Sequence, residues 1–307
     1  MNTLAPIVLF VYNRPWHTRE TLEALSKNIL ADESKLYIYA DGPKENATEE
    51  QLQKIKEVRI LIREKKWCRE VEIIEREKNM GVDSSIITGI TDIVNRFEKI
   101  IVLEDDLITS VGFLKYMNEA LTLYEQDNEV MVVSGYNFPT RNNLPETFFL
   151  YGGTNPWGWG TWKRSWINFI PDSKYLYNNI TRLSAQRVRQ FNFNNSFDYL
   201  GMLRHSIDSE NKPYDIRWYA SVFLNEGFGL WPAKSLVQNI GHDNSGIHCN
   251  ATNIYYHNDL AEFVNVKRQE VKHNEIAYKQ VVRFYKKGNS YSFVRRILLK
   301  IKRLNFV

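Results

Sequence analysis

Short apolar runs alternate with amphipathic stretches along the first 135 residues of the chain. Solidly apolar runs are typical of buried strands, whereas apolar positions that recur every three or four residues are typical of helices. The pattern predicts strands at residues 6–12, 35–40, 70–76, 99–103 and 130–134. It predicts helices at residues 18–30, 48–66, 82–97 and 112–124. Apolar strands that alternate with helices indicate a mostly parallel α/β sheet covered by helices on both faces.

The alternation weakens after Tyr136. Residues 137–260 are rich in Asn, Gly and aromatic residues and contain six of the eight tryptophans, which predicts a loop-rich half built onto the same sheet. Residues 261–287 are polar with helical spacing. We therefore divide the chain into residues 1–135, residues 136–260 and a C-terminal helical region at residues 261–307.

Polar side chains follow three of the predicted strands directly. Asn13 and Arg14 follow the first strand, Asp41 follows the second, and the acidic triplet Glu104–Asp106 follows the fourth. Parallel sheets bind ligands at the carboxyl ends of their strands. Three adjacent carboxylates need a cation, hydrogen bonds or water to stay ionised. Carboxylate oxygens suit Mg²⁺ or Mn²⁺ that carries a phosphate, so the triplet predicts such a site.

Each of these segments also has a simpler structural interpretation. Acidic side chains are favoured at helix N-termini, so the alternative for the triplet is an acidic cap of the next helix. Asp41-Gly42 and Asn79-Met80-Gly81 are sequences typical of turns. Arg14 either pairs with a phosphate or carboxylate or lies solvated at the start of the first helix.

Taken in order, four motifs resemble a known family. PIVLFVYNRP, YADGP, NMGV and IIVLEDDL resemble the nucleotide-binding half of the GT-A glycosyltransferases, above all the bacterial family 2 polysaccharide enzymes. The triplet also resembles that of the N-acetylglucosaminyltransferase that initiates complex N-glycans, and it replaces the common DxD spelling. The resemblance implies a GT-A fold, a nucleotide-sugar donor and a divalent metal. Residues 1–135 are then the nucleotide-sugar-binding half, and residues 136–260 the acceptor and catalytic half.

The resemblance also implies roles for individual residues. Asn13, Arg14 and Asp41 would contact the base and ribose, and Asn79 belongs to the same donor site. Glu104 and Asp105 would contact the sugar and ribose. Asp106 would hold the metal, Mn²⁺ or Mg²⁺.

Inverting sugar transfer needs a carboxylate that takes a proton from the acceptor hydroxyl. Asp215 lies between Tyr214 and Trp218, and partial desolvation by such neighbours raises the pKa of a carboxylate toward base strength. Asp215 is therefore the predicted general base, with Asp198 and Asp208 as second choices. The alternative is that Asp215 pairs with Arg217 or caps a helix.

His248 is the predicted second metal ligand, because GT-A enzymes often supply a late His or Asp to the metal or diphosphate. It follows a polar segment with two glycines, Gly241 and Gly246, which let the backbone approach a ligand closely. A surface-loop histidine is the alternative. An imidazole nitrogen would favour Mn²⁺ over Mg²⁺.

The aromatic segment at residues 155–162 predicts a platform for the acceptor sugar, because it is too apolar for an exposed loop. Trp157, Trp159 and, from a later segment, Trp218 are the predicted acceptor-binding residues. A hydrophobic brace beneath the sheet is the alternative, and the sequence leaves the two open.

The distribution of charged residues along the chain predicts one further partner. The chain has 40 Lys and Arg against 36 Asp and Glu, a net charge of +4 that is too small to predict nucleic-acid binding. Residues 283–307 hold eight of the basic residues and no acidic ones, so the rest of the chain is negative. Within residues 290–307 the basic residues alternate with apolar residues at helical spacing. This pattern is typical of a helix that lies on an anionic membrane surface, although a packed terminal helix is the alternative.

The sequence thus predicts a metal-dependent, inverting hexosyltransferase that uses a UDP-sugar. The acceptor would be a saccharide or lipid-linked saccharide in surface polysaccharide synthesis, and the enzyme would lie in the cytoplasm on the inner face of the membrane. Only two cysteines and no run of about 18 apolar residues agree with that location. A sugar-1-phosphate nucleotidyltransferase and a non-catalytic sugar-binding module are the rival hypotheses.

Overall fold

A computed structural model describes residues 3–140, 143–209, 212–243 and 254–288 of the chain. The strands in these ranges are β1 Ile7–Val11, β2 Lys35–Ala40, β3 Glu70–Glu75, β4 Lys99–Glu104, β5 Leu107–Thr109, β6 Val130–Ser134, β7 Thr147–Tyr151, β8 Trp159–Trp162, β9 Phe228–Pro232 and β10 Val237–Asn239. The helices are α1 Pro15–Ser26, α2 Glu49–Leu61, α3 Val82–Phe97, α4 Phe113–Leu123, α5 Lys163–Trp166, α6 Ser173–Thr181, α7 Ala185–Phe191, α8 Tyr199–Asp208, α9 Tyr214–Leu224 and α10, residues 275–288.

Eight strands form one sheet in the order β3-β2-β1-β4-β8-β6-β9-β7. Strands β1 to β4 pair in parallel, β8 is antiparallel to both β4 and β6, and β9 is parallel to β6. Strand β7 pairs antiparallel with β9 at the edge. All but β8 and β7 therefore run in one direction. The predicted fold class, a mostly parallel α/β sheet flanked by helices, is confirmed.

The elements of the first half lie where the hydrophobic pattern predicts them. Helix α1 begins earlier than predicted, at Pro15, because proline at the first helical position already has a helical φ and needs no amide partner. Helix α2 opens on Thr48, whose hydroxyl accepts from the Gln51 amide while the Gln51 side chain accepts from the Thr48 amide. This capping box is the one that those two residues are expected to form.

The sheet separates two apolar layers, and β1 contributes to both. Ile7, Leu9 and Val11 lie in the layer beneath α1 and α4, whereas Val8 and Phe10 lie in the layer beneath α3. This alternation follows from the two-residue period of a strand. Because both faces are covered, ligands reach the sheet at the ends of its strands.

The second half joins the same sheet and has more regular structure than its composition predicts. Strands β7, β8 and β9 extend the sheet, and α5 to α9 pack around it. The expected helix over residues 261–287 is wrong in its first half, because residues 261–274 form no helix and helical structure begins at residue 275. Phe149 of β7 bridges His273, so the segment before α10 runs along the sheet edge instead. None of the helices that the structure describes is long and apolar enough to cross a bilayer.

Gly160 in β8 lies at the junction of the two halves of the sheet. A Cβ at this position would lie 2.9 Å from the Ile100 carbonyl oxygen and 2.9 Å from the Met117 side chain. Because the first contact is with backbone in β4, Gly160→Ala is expected to lower the free energy of unfolding by about 1–3 kcal/mol. The measurement is the urea midpoint.

Gly288→Ala is the matched control for this substitution. A Cβ at Gly288 would meet Ile254 at 3.4 Å, an ordinary contact, so the midpoint should stay close to that of the wild type. Equal stability of the Gly160→Ala protein would contradict the close packing of β8 against β4.

Candidate active site at the carboxyl edge of the sheet

The predicted donor residues meet at one edge, because β2, β1 and β4 are neighbours and end together. Asn13 and Arg14 lie just beyond β1, Asp41 lies just beyond β2, and Glu104 is the last residue of β4. Asp105 and Asp106 follow in the tight connection to β5. The three acids therefore stand at the carboxyl end of a buried strand.

Arg14 is the nearest positive charge to these acids. Its Nη1 lies 2.9 Å from Oδ2 of Asp106 and 3.3 Å from Oδ1 of Asp105. Burial opposes the charge of the guanidinium, but Asp105, Asp106 and Asp243 together raise the pKa of Arg14. Burial raises the pKa of Asp105 to about 7, while Arg14 acts against that rise. The guanidinium thus stabilises an acidic pair that would otherwise tend to hold a proton.

Strand β10 closes the other side of Asp106. It pairs antiparallel with β5, and the Ile240 amide donates to the Asp106 carbonyl at 2.9 Å. The side-chain amide nitrogen Nδ2 of Asn239 lies 3.5 Å from Oδ1 of the Asp106 carboxylate. A Cβ on Gly241 would lie 2.0 Å from Oδ2 of Asp106, so only glycine permits this approach.

His17, in the first turn of α1, and Asp243 form a second cluster beside Arg14. His17 is buried, and its Nε2 lies 3.1 Å from Oδ2 of Asp243. Burial lowers the pKa of His17, and the charge of Arg14 lowers it further against the opposing effect of Asp243. The imidazole is therefore neutral near pH 7, and its contact with Asp243 is a hydrogen bond rather than an ion pair.

Tyr214 joins the two halves of the chain at the acidic edge. It is the first residue of α9, and its hydroxyl donates to Oε1 of Glu104 at 3.2 Å. Burial raises the pKa of Glu104 well above its usual value, and the charges of Asp106, Asp215 and Asp105 raise it further. The Tyr214–Glu104 hydrogen bond brings the first turn of α9, which carries Asp215, to the end of β4.

Asp83 fixes the first turn of α9. Its Oδ1 accepts a hydrogen bond from the Tyr214 amide at 2.7 Å, and its Oδ2 lies 3.5 Å from the Arg217 guanidinium. Arg217 also donates to the Pro213 and Pro171 carbonyls at 3.3 and 3.1 Å. The half-buried Asp215 accepts a hydrogen bond from the Ile216 amide at 2.8 Å, within the same turn.

The second choices for the base lie elsewhere. Asp198 is the N-cap of α8, where its carboxylate accepts from the Gly201 amide at 2.9 Å. Asp208 is the last residue of the same helix, beside Arg204 in a surface cleft. Neither is brought to the triplet by any contact that the structure describes.

Asp41 orders the loop that carries Asn79. Its Oδ1 accepts from the Gly42 amide at 2.9 Å and from the Met80 amide at 3.0 Å, and its Oδ2 accepts from the Asn79 side chain at 3.0 Å. A Cβ on Gly42 would lie 2.5 Å from the Lys78 backbone, so the two turns are in close contact. The turn interpretation therefore describes both segments, and it places Asn79 beside Asp41.

The expectation for two of the tryptophans is wrong. Trp159 and Trp218 are 1% and 2% exposed and belong to the apolar layer under α3, so their faces are covered and cannot stack on a sugar. The brace interpretation describes them instead. Trp157 is half-buried, with its ring 5.3 Å from that of His242. Trp157 remains the acceptor-side candidate.

His248, the predicted second metal ligand, lies outside the residues that the structure describes.

The residues of this edge fit a cation that arrives with a phosphate. No group of three His, Cys, Asp or Glu side chains within the described ranges is arranged to hold a metal ion. Magnesium, however, is usually held by one or two carboxylates together with substrate phosphates. Asp105 and Asp106 supply such a pair, and the Gly241 backbone forms a close wall beside it. Asp106 is the residue that would hold the ion.

Three residues of the edge were not predicted from the sequence: His17, Asp83 and Asp243. His17 lies three residues after Arg14, a spacing at which helical side chains are neighbours, so its position beside Arg14 could have been predicted from the sequence. Asp83 interacts across α3 and α9, and no local pattern shows that contact. Gly241 and Asp243 stand in a segment whose glycines did suggest a ligand-facing loop.

The sequence matches no family model and no curated protein. Among solved structures, Staphylococcus aureus TarS is similar with a TM-score of 0.40 and 11% identity over 76% of this chain and 36% of its own. Mouse xyloside xylosyltransferase 1 has a TM-score of 0.38 and 11% identity over 72% of this chain and 82% of its own. A UDP-glucose pyrophosphorylase complexed with UDP-glucose has a TM-score of 0.34 and 11% identity over 74% of this chain and 90% of its own. This chain spans about a third of TarS.

The pH dependence of stability is a direct consequence of the raised pKa of Asp105. A carboxyl whose pKa is higher in the folded than in the unfolded state keeps a proton that the unfolded chain has lost. Asp105 therefore contributes a fall in the free energy of unfolding as pH rises from about 4 to about 7. Asp105→Asn should flatten that fall, as measured by urea unfolding across the range.

Asp32→Asn, at an exposed position after α1, is the control and should follow the wild-type profile. Parallel profiles for the wild type and Asp105→Asn would contradict the assignment of the raised pKa to Asp105.

Proposed function

We propose that the protein is a GT-A glycosyltransferase of the hexosyl class. It would transfer a sugar from a nucleotide-sugar, a UDP-sugar in the simplest case, to a saccharide hydroxyl with inversion. The observation that carries the proposal is the 3.2 Å hydrogen bond from the Tyr214 hydroxyl to Glu104, which brings the first turn of α9, where Asp215 lies, to the acidic end of β4. An acidic edge that suits a cation-bound diphosphate and a carboxylate from a separate element are the two parts that such a transfer requires.

The donor side is formed by the neighbouring strand ends. Asn13 and Asp41 would contact the base and ribose, and Asn79 is held beside Asp41. Arg14 presents a planar guanidinium, which matches the oxygens of a phosphate in a bidentate geometry. A divalent cation, Mn²⁺ or Mg²⁺, held by Asp106 would stabilise the negative charge of the departing diphosphate.

On the acceptor side Asp215 would act as the general base. It would take the proton of the acceptor hydroxyl as that oxygen forms a bond to the anomeric carbon and the bond to the diphosphate breaks. A single displacement of this kind inverts the anomeric centre. Asp83 and Arg217 hold the turn that carries Asp215. Trp157, near His242, would contact the acceptor sugar.

The proposed setting is the synthesis of a surface polysaccharide on a saccharide or lipid-linked acceptor, at the inner face of the membrane. Support comes from the charge pattern of residues 290–307, eighteen residues that contain five Lys and Arg and no acidic side chain. These residues lie outside the described ranges, so the support is from sequence. Basic residues near an anionic surface contribute roughly 1 kcal/mol each to binding.

Calorimetric titration of UDP tests the donor site. With Mn²⁺ present the wild type is expected to bind UDP, whereas chelator should abolish or strongly weaken binding, because Asp106 and the diphosphate share the cation. Asp106→Asn should lose the metal-dependent part of the binding, and Asp32→Asn should keep it.

No binding of UDP, and none of GDP, under either condition would contradict the proposal and favour a non-catalytic sugar-binding module. Equal binding with metal and with chelator would contradict the metal dependence alone.

Turnover tests the base. With the UDP-sugar that binds, Asp215→Asn is expected to lower kcat by at least about 100-fold, because general-base catalysis typically contributes that much. The Kd for UDP should not change, since Asp215 lies on the acceptor side. The measurement is the release of UDP on transfer to the acceptor.

Asp208→Asn is the matched control, because Asp208 ends the nearby helix α8 without facing the triplet. Full activity of Asp215→Asn would refute the assignment of the base.

A further inference from the structure

The cation that the structure places on the aspartate pair belongs to the protein. Arg14 contacts both carboxylates through Nη1, and the side chains of Arg14, Asp105 and Asp106 are only 15%, 11% and 13% exposed. The guanidinium therefore stands at the position from which a metal ion would be bound. A protein cation and a divalent cation repel each other strongly at such distances when water is mostly excluded.

Both carboxylate oxygens of Asp106 already have a donor. Oδ2 accepts a hydrogen bond from Arg14 at 2.9 Å, and Oδ1 lies 3.5 Å from the side-chain amide nitrogen of Asn239. The Gly241 backbone is closely packed on the same side, because a Cβ there would lie 2.0 Å from Oδ2 and 3.0 Å from Nη2 of Arg14. Each oxygen keeps a further lone pair, but Arg14 and the Gly241 backbone lie on the Oδ2 side, so a metal ion bound there would lie beside a positive charge. Arg14 is the donor at the shorter distance and the one with the like charge.

A nucleoside diphosphate would change this balance. Its phosphate oxygens are strong partners for a guanidinium, in many cases in a bidentate geometry. If Arg14 turns to the diphosphate, the Asp106 carboxylate becomes available to a cation, and the phosphates supply the negative charge that holds both positive groups. Arg14 lies at the N-cap of α1, one residue outside the helix, so its backbone is not restrained by helical hydrogen bonds on both sides.

We propose that Arg14 is an internal counter-cation that excludes a divalent metal from Asp105 and Asp106 until a nucleoside diphosphate binds. This inference rests on the proposed function and deepens it, because it makes metal and nucleotide bind as one unit. In the free protein the guanidinium neutralises the acidic edge. In the complex the same guanidinium holds the diphosphate while Asp106 holds the metal.

Binding of Mn²⁺ alone, followed by the loss of the free-ion signal in electron paramagnetic resonance, tests the inference without activity. The wild type is expected to bind Mn²⁺ weakly in the absence of nucleotide. With both proteins titrated at pH 8, Arg14→Gln should bind it at least about tenfold more tightly, because the repelling charge is gone and the higher pH favours the ionised carboxylates. Adding Asp106→Asn to Arg14→Gln should return the affinity to that of the wild type.

Arg19→Gln is the matched control. Arg19 lies on the same helix and pairs with Glu64 at 2.6 Å, on the exposed surface. Its loss should leave Mn²⁺ binding unchanged. Arg14→Lys covers the case in which Arg14→Gln fails to fold, and it should show a smaller gain in the same direction, because Lys keeps the charge without the planar fork.

Unchanged or weaker Mn²⁺ binding in the folded Arg14 variants would overturn the inference. Tight binding of Mn²⁺ by the wild type without nucleotide would overturn it as well. These titrations contain no UDP, so their failure is distinct from a failure of the proposed function, which would appear as the absence of UDP binding to the wild type with Mn²⁺ present.

Discussion

The ion pair between Arg14 and the two aspartates is the interaction on which the edge of the sheet depends. Three carboxylates at the end of a buried strand are stable only with compensating positive charge or hydrogen bonds. Arg14 can supply that charge because β1 and β4 are neighbours, which brings the residue after one strand next to the residues after the other. Strand order, rather than sequence proximity, thus creates the site.

The second half completes this edge through α9. Tyr214 reaches Glu104, and Asp83 holds the amide of Tyr214 from the first half. The turn that carries Asp215 is therefore fixed from two directions by residues of α3 and β4. In the proposed reaction, an Asp215 base held by packed secondary structure would keep a constant separation from the leaving group, which suits a single displacement.

The sequence predicted five of the strands, β1, β2, β3, β4 and β6, because each is a short run rich in apolar residues with polar ends. It did not predict β5 or the strands of the second half. The capping box of Thr48 and Gln51 and the end of β4 at Glu104 are local signals of this kind. The burial of Trp159 and Trp218 could not be predicted, since it depends on which side of β8 and α9 faces the layer under α3. The polar spacing of residues 261–274 mimicked a helix, but that segment runs along the sheet edge.

A crystal structure, from crystals of the protein grown with UDP and Mn²⁺, tests whether metal and nucleotide bind together at Arg14 and Asp106. An anomalous Mn²⁺ peak is expected at Asp106, with a diphosphate between that ion and Arg14. The uracil should lie toward Asp41, and Asp215 should face the open side of the diphosphate. A nucleotide bound away from the carboxyl ends of β1 and β4, or a Mn²⁺ peak distant from Asp106, would contradict this arrangement.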